Sequence, residues 1–281
     1  MNTIELNNGV NMPLLGYGVF QIPPAECEAC VTNAINAGYR LLDTAQAYFN
    51  EAEVGSAVAK SGIDRKEFFL VTKVWISNAG EARAAASIDA SLEKLGTDYV
   101  DLLLIHQPFG DVFGTWRAME RAYADGKVRA IGLSNFYDGR YIDICEHADV
   151  KPAVVQLEAH VFSQQKRMRE LMRAYGTRLM AWAPFAEGRN GLFTNPTLEA
   201  IGRRHGKSAA QTVLRFLYEE DIIAIPKSVN PARMAENIAI EDFALDDVER
   251  AEIAALDTGR PLIVPDFNSA DFAKMIIQYG K

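Results

Sequence analysis

Short apolar segments alternate along this chain with segments of helical periodicity. The eight strand-like segments are 14–19, 39–43, 68–74, 99–105, 128–134, 153–158, 178–183 and 221–226. Helix-like stretches between them include 81–95, 111–124, 137–147, 165–175 and 208–218. This alternation is typical of βαβ units, whose strands lie parallel in one sheet. Eight such units in 281 residues favour an α/β protein with a closed (β/α)₈ TIM barrel over an open doubly wound sheet.

Three further segments extend this barrel. Residues 3–15 alternate around Asn7, Asn8 and Gly9, which predicts an N-terminal β-hairpin. Segments 197–205 and 246–255 have helical patterns outside the simple alternation, so we expect two extra helices there. Because no linker or low-complexity stretch divides the chain, we interpret residues 1–281 as a single domain.

Charge and hydropathy exclude several classes of partner. The net charge is −8 and no basic block occurs, which argues against binding to nucleic acid or to an anionic membrane. No run of 18 apolar residues is present, and the N-terminus lacks the core of a signal peptide. We therefore expect a cytoplasmic enzyme, and we favour a monomer.

The three cysteines do not suggest a disulfide framework. Cys27 and Cys30 have CxxC spacing, but they fall inside a predicted helix rather than at its start. Redox or zinc chemistry needs a helix N-terminus or more ligands, so we expect ordinary helical residues here.

Three consecutive strand-like segments end in polar residues. They are GYRLLDTAQAYFNE (38–51), FFLVTKVW (68–75) and DLLLIHQP (101–108), and they supply Asp43, Tyr48, Lys73 and His106. Strand periodicity puts Asp43, Lys73 and His106 each on one face of its strand, and Tyr48 in the loop that follows Asp43. Barrel active sites form at the C-terminal ends of the strands, so we expect the four side chains to share one site.

These residue types suit proton donation to an oxygen. A free tyrosine, with a pKa of about 10, is a weak acid, and we expect the Lys73 ammonium to lower the pKa of Tyr48. Asp43 would keep the buried lysine charged, and His106 would orient a substrate carbonyl. Hydride addition to a carbonyl is the natural reaction for such a site, and it requires a cofactor. For one residue alone an ion pair or a core histidine is the commoner explanation; four together favour catalysis.

These motifs resemble the aldo-keto reductase family. GYRLLDTAQAYFNE, VTKVW, LLLIHQP, IGLSNF and IPKSVNPARMAEN occur in the family's order from about residue 4 to 245. The segments HQPFGDVFGTWRAME and AWAPFAEGRNGLF are most similar to the bacterial diketogluconate reductase and prostaglandin F synthase-like branch. The resemblance implies an NADP(H)-dependent barrel without a bound metal. It also implies Tyr48 as the general acid, with Asp43, Lys73 and His106 completing a tetrad.

The resemblance also implies cofactor contacts. Ser134 and Asn135 in IGLSNF and Gln156 in VVQLEAH match the residues that hold the nicotinamide carboxamide. Trp182 in AWAP falls where the family stacks an aromatic ring on the nicotinamide, although a core tryptophan is an equal alternative.

The segment PKSVNPARMAEN (226–237) belongs to the adenosine end. Lys227, Ser228 and Arg233 lie near the start of a predicted helix, where cations and a hydroxyl suit a phosphate dianion. They favour NADPH and NADP⁺ over NADH and NAD⁺, while a solvated helix start is the structural alternative. Glu236 and Asn237 match the family's adenine contacts.

The substrate pocket is expected to be aromatic. Phe20, Trp75, His106 and Phe109 would line its mouth around Tyr48, although aromatic residues at strand ends also pack structurally. Gln21 replaces a basic residue that many relatives place near the pyrophosphate. The segment 260–281 does not match the family's usual C-terminal loop, so its role and the physiological substrate stay open.

The function we expect is NADPH-dependent reduction of aldehydes and ketones, including small carbonyls, α-dicarbonyls and keto sugars, to alcohols. The alternative is a regulatory barrel that binds the cofactor with little turnover. A metal-dependent hydrolase is disfavoured because the four histidines form neither an HxH nor an HExxH cluster.

Overall fold

A parallel β-barrel forms the centre of the molecule. The computed structural model describes residues 2–264, 266–267 and 269–279, and all structural statements refer to these residues. In this part of the chain, eight strands form one parallel sheet in chain order. They are β3 (Gly16–Gly18), β4 (Leu41–Asp43), β5 (Phe69–Val74), β6 (Leu102–Ile105), β7 (Ile131–Ser134), β8 (Val154–Glu158), β9 (Arg178–Trp182) and β10 (Ile223–Ala224). A parallel bridge from Leu15 to Ala224 joins the sheet's edges, so the predicted (β/α)₈ barrel is confirmed.

Helices surround the barrel. They are α1 (Pro24–Asn36), α2 (Glu51–Lys60), α3 (Glu81–Leu95), α4 (Val112–Ala124), α5 (Asp138–His147), α6 (Lys166–Arg173), α7 (Pro196–His205), α8 (Ala209–Glu219), α9 (Pro231–Ile238), α10 (Asp247–Ala254) and α11 (Ala270–Gln278). The two expected extra helices are α7 and α10. Helix α11 was not predicted. Among the helices described, none is both long and apolar enough to cross a bilayer.

Helix α3 illustrates how the outer layer is specified. Its apolar positions Ala84, Ile88, Leu92 and Leu95 recur at helical spacing, and all four are buried. The helix ends at Gly96, whose φ of 62° is the left-handed conformation that glycine adopts with little strain.

The predicted N-terminal hairpin covers one end of the barrel. It pairs β1 (Thr3–Glu5) with β2 (Asn11–Pro13) in antiparallel register. The Asn8 side chain donates to the carbonyl of Arg129 at 2.9 Å, and Arg178 donates to the carbonyl of Glu5 at 3.1 Å. Because Arg129 precedes β7 and Arg178 begins β9, the hairpin lies at the N-terminal ends of the strands. The opposite end is left for ligands.

The CxxC pair is part of the core. Cys27 and Cys30 are buried on α1 and carry free thiols, as expected for ordinary helical residues. Burial raises the pKa of the Cys27 thiol to about 12, so this sulfur stays protonated and weakly reactive.

Candidate active site

Four polar side chains meet at the C-terminal end of the barrel. Asp43 ends β4, Lys73 lies near the end of β5, and His106 follows β6. The Lys73 ammonium donates to Asp43 Oδ1 at 2.6 Å and to the Tyr48 hydroxyl at 3.4 Å. The Tyr48 and His106 rings lie edge to face, with centroids 5.5 Å apart. The structure therefore brings together the four residues that the strand ends singled out.

The Asp43–Lys73 ion pair is buried and its hydrogen-bonding capacity is used. The Lys73 side chain has no solvent exposure, and its ammonium also donates to the carbonyl of Thr44 at 2.8 Å. The Gln156 amide donates to Asp43 Oδ2 at 2.9 Å, so both carboxylate oxygens have partners. A buried ion pair tolerates desolvation only when its remaining donors and acceptors are satisfied, as they are here.

The environment of Tyr48 corrects one expectation. Burial raises the pKa of Tyr48 well above its ordinary value, and the Asp43 carboxylate raises it further. The expectation that Lys73 lowers the pKa of Tyr48 was wrong for this state of the protein. The first physical reason is burial, which disfavours the charged phenolate; in addition, Asp43 lies closer to the Lys73 ammonium than the phenol does. Tyr48 is consequently a neutral phenol that retains its proton until negative charge develops on a nearby oxygen.

His106 is a neutral imidazole. Burial, followed by repulsion from Lys73, places the pKa of His106 well below its ordinary value. The Asn135 side chain donates to the His106 carbonyl at 3.2 Å, which ties the histidine to β7. A neutral histidine donates a hydrogen bond from only one ring nitrogen, which suits orientation of a substrate oxygen better than proton supply.

A second polar group lies beside this centre, at the ends of β7, β8 and β9. Trp182 Nε1 donates to Asn135 Oδ1 at 3.0 Å, and Asn135 Nδ2 donates to Ser134 Oγ at 3.2 Å. Asn135 has a φ of 64°, a left-handed conformation that asparagine tolerates better than most residues. With Gln156, these side chains line the same cavity as Tyr48 and His106.

One cavity of about 590 Å³ connects the catalytic end to a basic end. Tyr48 and His106 lie on its floor, and Lys227 lies at its far end. Phe20 forms part of the rim: it is 46% exposed, and its ring centroid lies 5.0 Å from that of Tyr48.

Two expected pocket residues lie behind the lining rather than in it. Trp75 is nearly buried and packs its ring edge-on against His106 at 4.9 Å. Phe109 packs against Phe272, with centroids 6.4 Å apart. Both support residues that face the cavity.

The residues expected at the adenosine end follow β10. Ser228, Arg233, Glu236 and Asn237 lie outside the cavity lining, on the loop before α9 and on α9. The Asn230 side chain caps α9 by accepting from the backbone N–H of Ala232 and Arg233. A phosphate here would therefore depend on the exposed Lys227 and Arg233 side chains more than on the helix end. Among the described residues, neither cation has a carboxylate within ion-pair distance.

Residues 14–258, most of the chain, match the model of the Aldo/keto reductase family. The chain belongs to this family. Morphine 6-dehydrogenase of Pseudomonas putida is 44% identical over 270 residues, with 91% of each chain covered. Glyoxal reductase of Bacillus subtilis is 41% identical over 258 residues, covering 91% of this chain and 93% of its own. The solved structure of a proposed 2,5-diketo-D-gluconic acid reductase B is 40% identical, with a TM-score of 0.90 and 95% of both chains covered.

One solved relative contains a cofactor. A mutant of Gox0644, solved in complex with NADPH, is 33% identical and has a TM-score of 0.90, with 96% of this chain and 98% of that chain covered. By its family and its reductase and dehydrogenase relatives, this aldo-keto reductase is an oxidoreductase. The alternative of a regulatory barrel with little turnover is thereby set aside.

The cavity fits that cofactor on two observations. Its polar wall of Ser134, Asn135 and Gln156 suits the carboxamide of a nicotinamide, next to the flat indole of Trp182. At the other end Lys227 is a cation without an ion-pair partner among the described residues, which suits an anionic group.

The opposite wall was not anticipated from the sequence. The C-terminal strap is defined here as the described residues 262–264, 266–267 and 269–279. The wall is formed by six of them together with Phe185 and Phe193: Ile263, Val264, Phe267, Phe272, Met275 and Ile276. A helical signal was available in Phe272, Met275 and Ile276. A second signal was Glu158, a charged residue that ends the apolar strand β8, as Asp43 ends β4.

Proposed function

We propose that Tyr48 protonates the carbonyl oxygen of an aldehyde or ketone and so yields the alcohol. NADPH, when bound, supplies the hydride that adds to the carbonyl carbon. The observation that carries this proposal is the Tyr48 hydroxyl 3.4 Å from the Lys73 ammonium on the cavity floor. Because the phenol is neutral, its proton is available at any pH near neutrality.

The other three residues support that proton transfer. As the proton leaves, Lys73 stabilises the negative charge on the Tyr48 oxygen, and Asp43 holds the ammonium in place. His106 donates a hydrogen bond that orients the substrate oxygen towards Tyr48. These roles are supported by the 2.6 Å ion pair and by the neutral state of the imidazole.

We assign the nicotinamide end to the polar wall. Ser134, Asn135 and Gln156 bind the carboxamide, and Trp182 stacks on the ring. The support is their shared position on the cavity and the hydrogen bond that fixes the Trp182 indole to Asn135. Such fixed contacts decide which face of the ring meets the substrate.

We assign the adenosine end to the loop after β10 and to α9. Lys227, Ser228 and Arg233 bind the 2′-phosphate, while Glu236 and Asn237 contact the adenine. The two cations are exposed and lie near each other in the chain, which supports recognition of a dianion.

The substrates we propose are small carbonyls, α-dicarbonyls and keto sugars. Polar groups surround Tyr48, which suits a compact oxygen-rich substrate, while Phe20 offers an apolar surface at the rim. Among the relatives, glyoxal reductase and the diketogluconic acid reductase carry names consistent with this range. Trp75 and Phe109 act indirectly, by supporting His106 and the strap.

We further propose that residues 1–281 act as one domain and as a monomer in the cytoplasm. The three buried free cysteines are consistent with a reducing compartment.

Replacement of Tyr48 by phenylalanine tests the central assignment. We expect kcat to fall by roughly 10²–10⁴-fold, because the general acid is removed, while the Kd for NADPH stays within about twofold. Stopped-flow turnover and fluorescence titration with NADPH measure the two quantities. Tyr141→Phe is the control: its buried hydroxyl donates to Thr177 Oγ1 at 2.8 Å and lies outside the cavity lining. An unchanged kcat in Tyr48→Phe would remove Tyr48 as the acid.

A further inference from the structure

Glu158 is a buried carboxylate without a role in the proton transfer described above. It ends β8 and has no solvent exposure. Three successive backbone N–H groups of the strap point at it. Those of Leu262 and Ile263 donate to Oε1 at 2.5 and 3.0 Å, and that of Val264 donates to Oε2 at 3.1 Å. A carboxylate that accepts several backbone N–H groups is a strong, charge-assisted anchor.

His160 completes this anchor. Its Nδ1 accepts from the backbone N–H of Phe162 at 3.2 Å, so the ring proton lies on Nε2. Nε2 lies 3.2 Å from Glu158 Oε1 and therefore donates to it. These donors hold the pKa of Glu158 below its ordinary value despite the opposing effect of burial. Glu158 is therefore ionised at neutral pH, with four donors on its two oxygens.

The anchored residues lead directly into the cavity wall. Ile263 and Val264 line the cavity, and Phe267 follows, packing against Trp182 with centroids 6.3 Å apart. Phe272 packs on Phe267 at 5.0 Å and lies on the cavity as well. The apolar face of the wall thus begins at the residues that Glu158 holds.

The far end of the strap has a weaker attachment. Trp75 Nε1 donates to the carbonyl of Tyr279 at 3.0 Å, and the Tyr279 side chain is 53% exposed. This neutral bond contrasts with the charged anchor at the near end. Glu158 therefore fixes the position of the first residues of the strap. The position of the rest of the wall relative to the cavity follows from theirs.

We propose that Glu158 is a positioning residue for substrate recognition, holding the strap where its apolar side chains contact the bulky, apolar part of a carbonyl substrate. The inference rests on the proposed function, since it takes Tyr48 as the site where the carbonyl is held. We expect a small carbonyl held at Tyr48 to make few contacts with the apolar side chains of the strap. An aromatic carbonyl extends to Phe267 and Phe272 and depends on their position.

Glu158→Gln tests this role with little change in shape. An amide is uncharged and offers one acceptor oxygen, and its NH₂ group faces at least one of the N–H donors, so the anchor is weakened. We expect KM for naphthaldehyde to rise about tenfold, with kcat within about twofold. KM for methylglyoxal and the Kd for NADPH stay unchanged. Hydrogen exchange becomes faster in the peptide that contains Leu262, Ile263 and Val264.

Glu249→Gln is the matched control. Glu249 is a buried carboxylate that also pairs with a histidine, His205, at 2.9 Å, and it lies outside the cavity lining. Its replacement should lower the stability of the fold. It should change neither the KM for naphthaldehyde, nor the KM for methylglyoxal, nor hydrogen exchange in the strap.

Arg189→Ala keeps the test decisive if Glu158→Gln does not fold. The exposed Arg189 side chain donates to the Leu262 carbonyl at 2.8 Å, so it holds the same segment from outside. We expect faster exchange there and a KM for naphthaldehyde about twofold higher. Two outcomes would overturn the role of Glu158. One is an equal change in KM for naphthaldehyde and methylglyoxal, and the other is an unchanged KM for both in a folded Glu158→Gln variant. Failure of the Tyr48 assignment would appear instead as unchanged kcat in Tyr48→Phe.

Discussion

The floor of the cavity and the wall opposite it are built in different ways. Asp43, Lys73 and His106 lie at or near the ends of three adjacent barrel strands, and hydrogen bonds of the sheet fix their backbones. The wall is a strap that crosses the cavity, with a charged anchor at Glu158 and a neutral one at Trp75. A rigid floor suits proton transfer, which requires fixed distances. A wall formed by such a strap can adjust to different substrates without disturbing the floor.

Substitutions on the floor and on the wall should therefore differ in their energetic cost. On the floor, a buried ion pair cannot lose one partner without leaving an uncompensated charge in a dry interior. On the wall, the Met275 side chain is 60% exposed. This side of the strap already faces solvent, so a change there exposes little new apolar surface. Floor variants should therefore lower kcat as well as stability, whereas wall variants should change KM and leave kcat nearly unchanged.

Asp43→Asn should produce the largest effect. It leaves the Lys73 ammonium buried without its counter-charge and turns an amide N–H towards Gln156. We expect the free energy of unfolding to fall by about 3–5 kcal/mol, measured by urea denaturation. We also expect kcat to fall at least about tenfold, because Lys73 is no longer held beside Tyr48.

Asp101→Asn is the control for this prediction. Asp101 is equally buried and pairs with Arg65 at 2.8 Å and Arg129 at 2.7 Å, close to the N-terminal hairpin and outside the cavity lining. Its loss should cost stability without lowering kcat in the remaining folded protein. If both variants lost kcat equally, the floor would not differ from any other buried ion pair.

Lys227→Ala should produce an intermediate effect, confined to the cofactor. Lys227 is an exposed cation at the far end of the cavity, so its removal leaves the fold intact. We expect the Kd for NADPH to rise about 10–100-fold and that for NADH to rise no more than about threefold. Fluorescence titration with both cofactors, and with the exposed control Lys66→Ala, makes the comparison. Equal losses for the two cofactors would remove the 2′-phosphate role.

The smallest effect should be a pH dependence at the wall anchor. The pKa of Glu158 is lowered in the folded protein, so its charge stabilises the fold fully above the unfolded pKa of about 4.3. That contribution is lost as the pH falls through the folded pKa. Glu158→Gln should therefore be less stable than wild type by about 1–3 kcal/mol at pH 7, with the gap closing in acid below about pH 4.3. Urea denaturation across this range measures the gap, and a constant gap would show that Glu158 is not ionised in the anchor.

Much of the barrel could be predicted because its signals are local. Apolar runs, helical spacing and turn residues identified every barrel strand and the two extra helices. Helix α11 was missed although Phe272, Met275 and Ile276 recur at helical spacing, because none of its residues is buried in the barrel core. Glu158 was missed although it follows the same rule as Asp43, because three of its four donors are backbone N–H groups, which have no residue type to identify them.

The grouping of Asp43, Lys73 and His106 could be read from the chain because parallel strands bring their C-terminal ends to one rim whatever the details of packing. The distribution of charge among these residues could not be predicted from the chain. The pKa of Tyr48 depends first on how deeply the phenol is buried and then on its distances from Asp43 and Lys73, which only the folded structure sets. The anchor at Glu158 likewise joins positions 104 residues apart, a contact that no local pattern records and that only the folded chain creates.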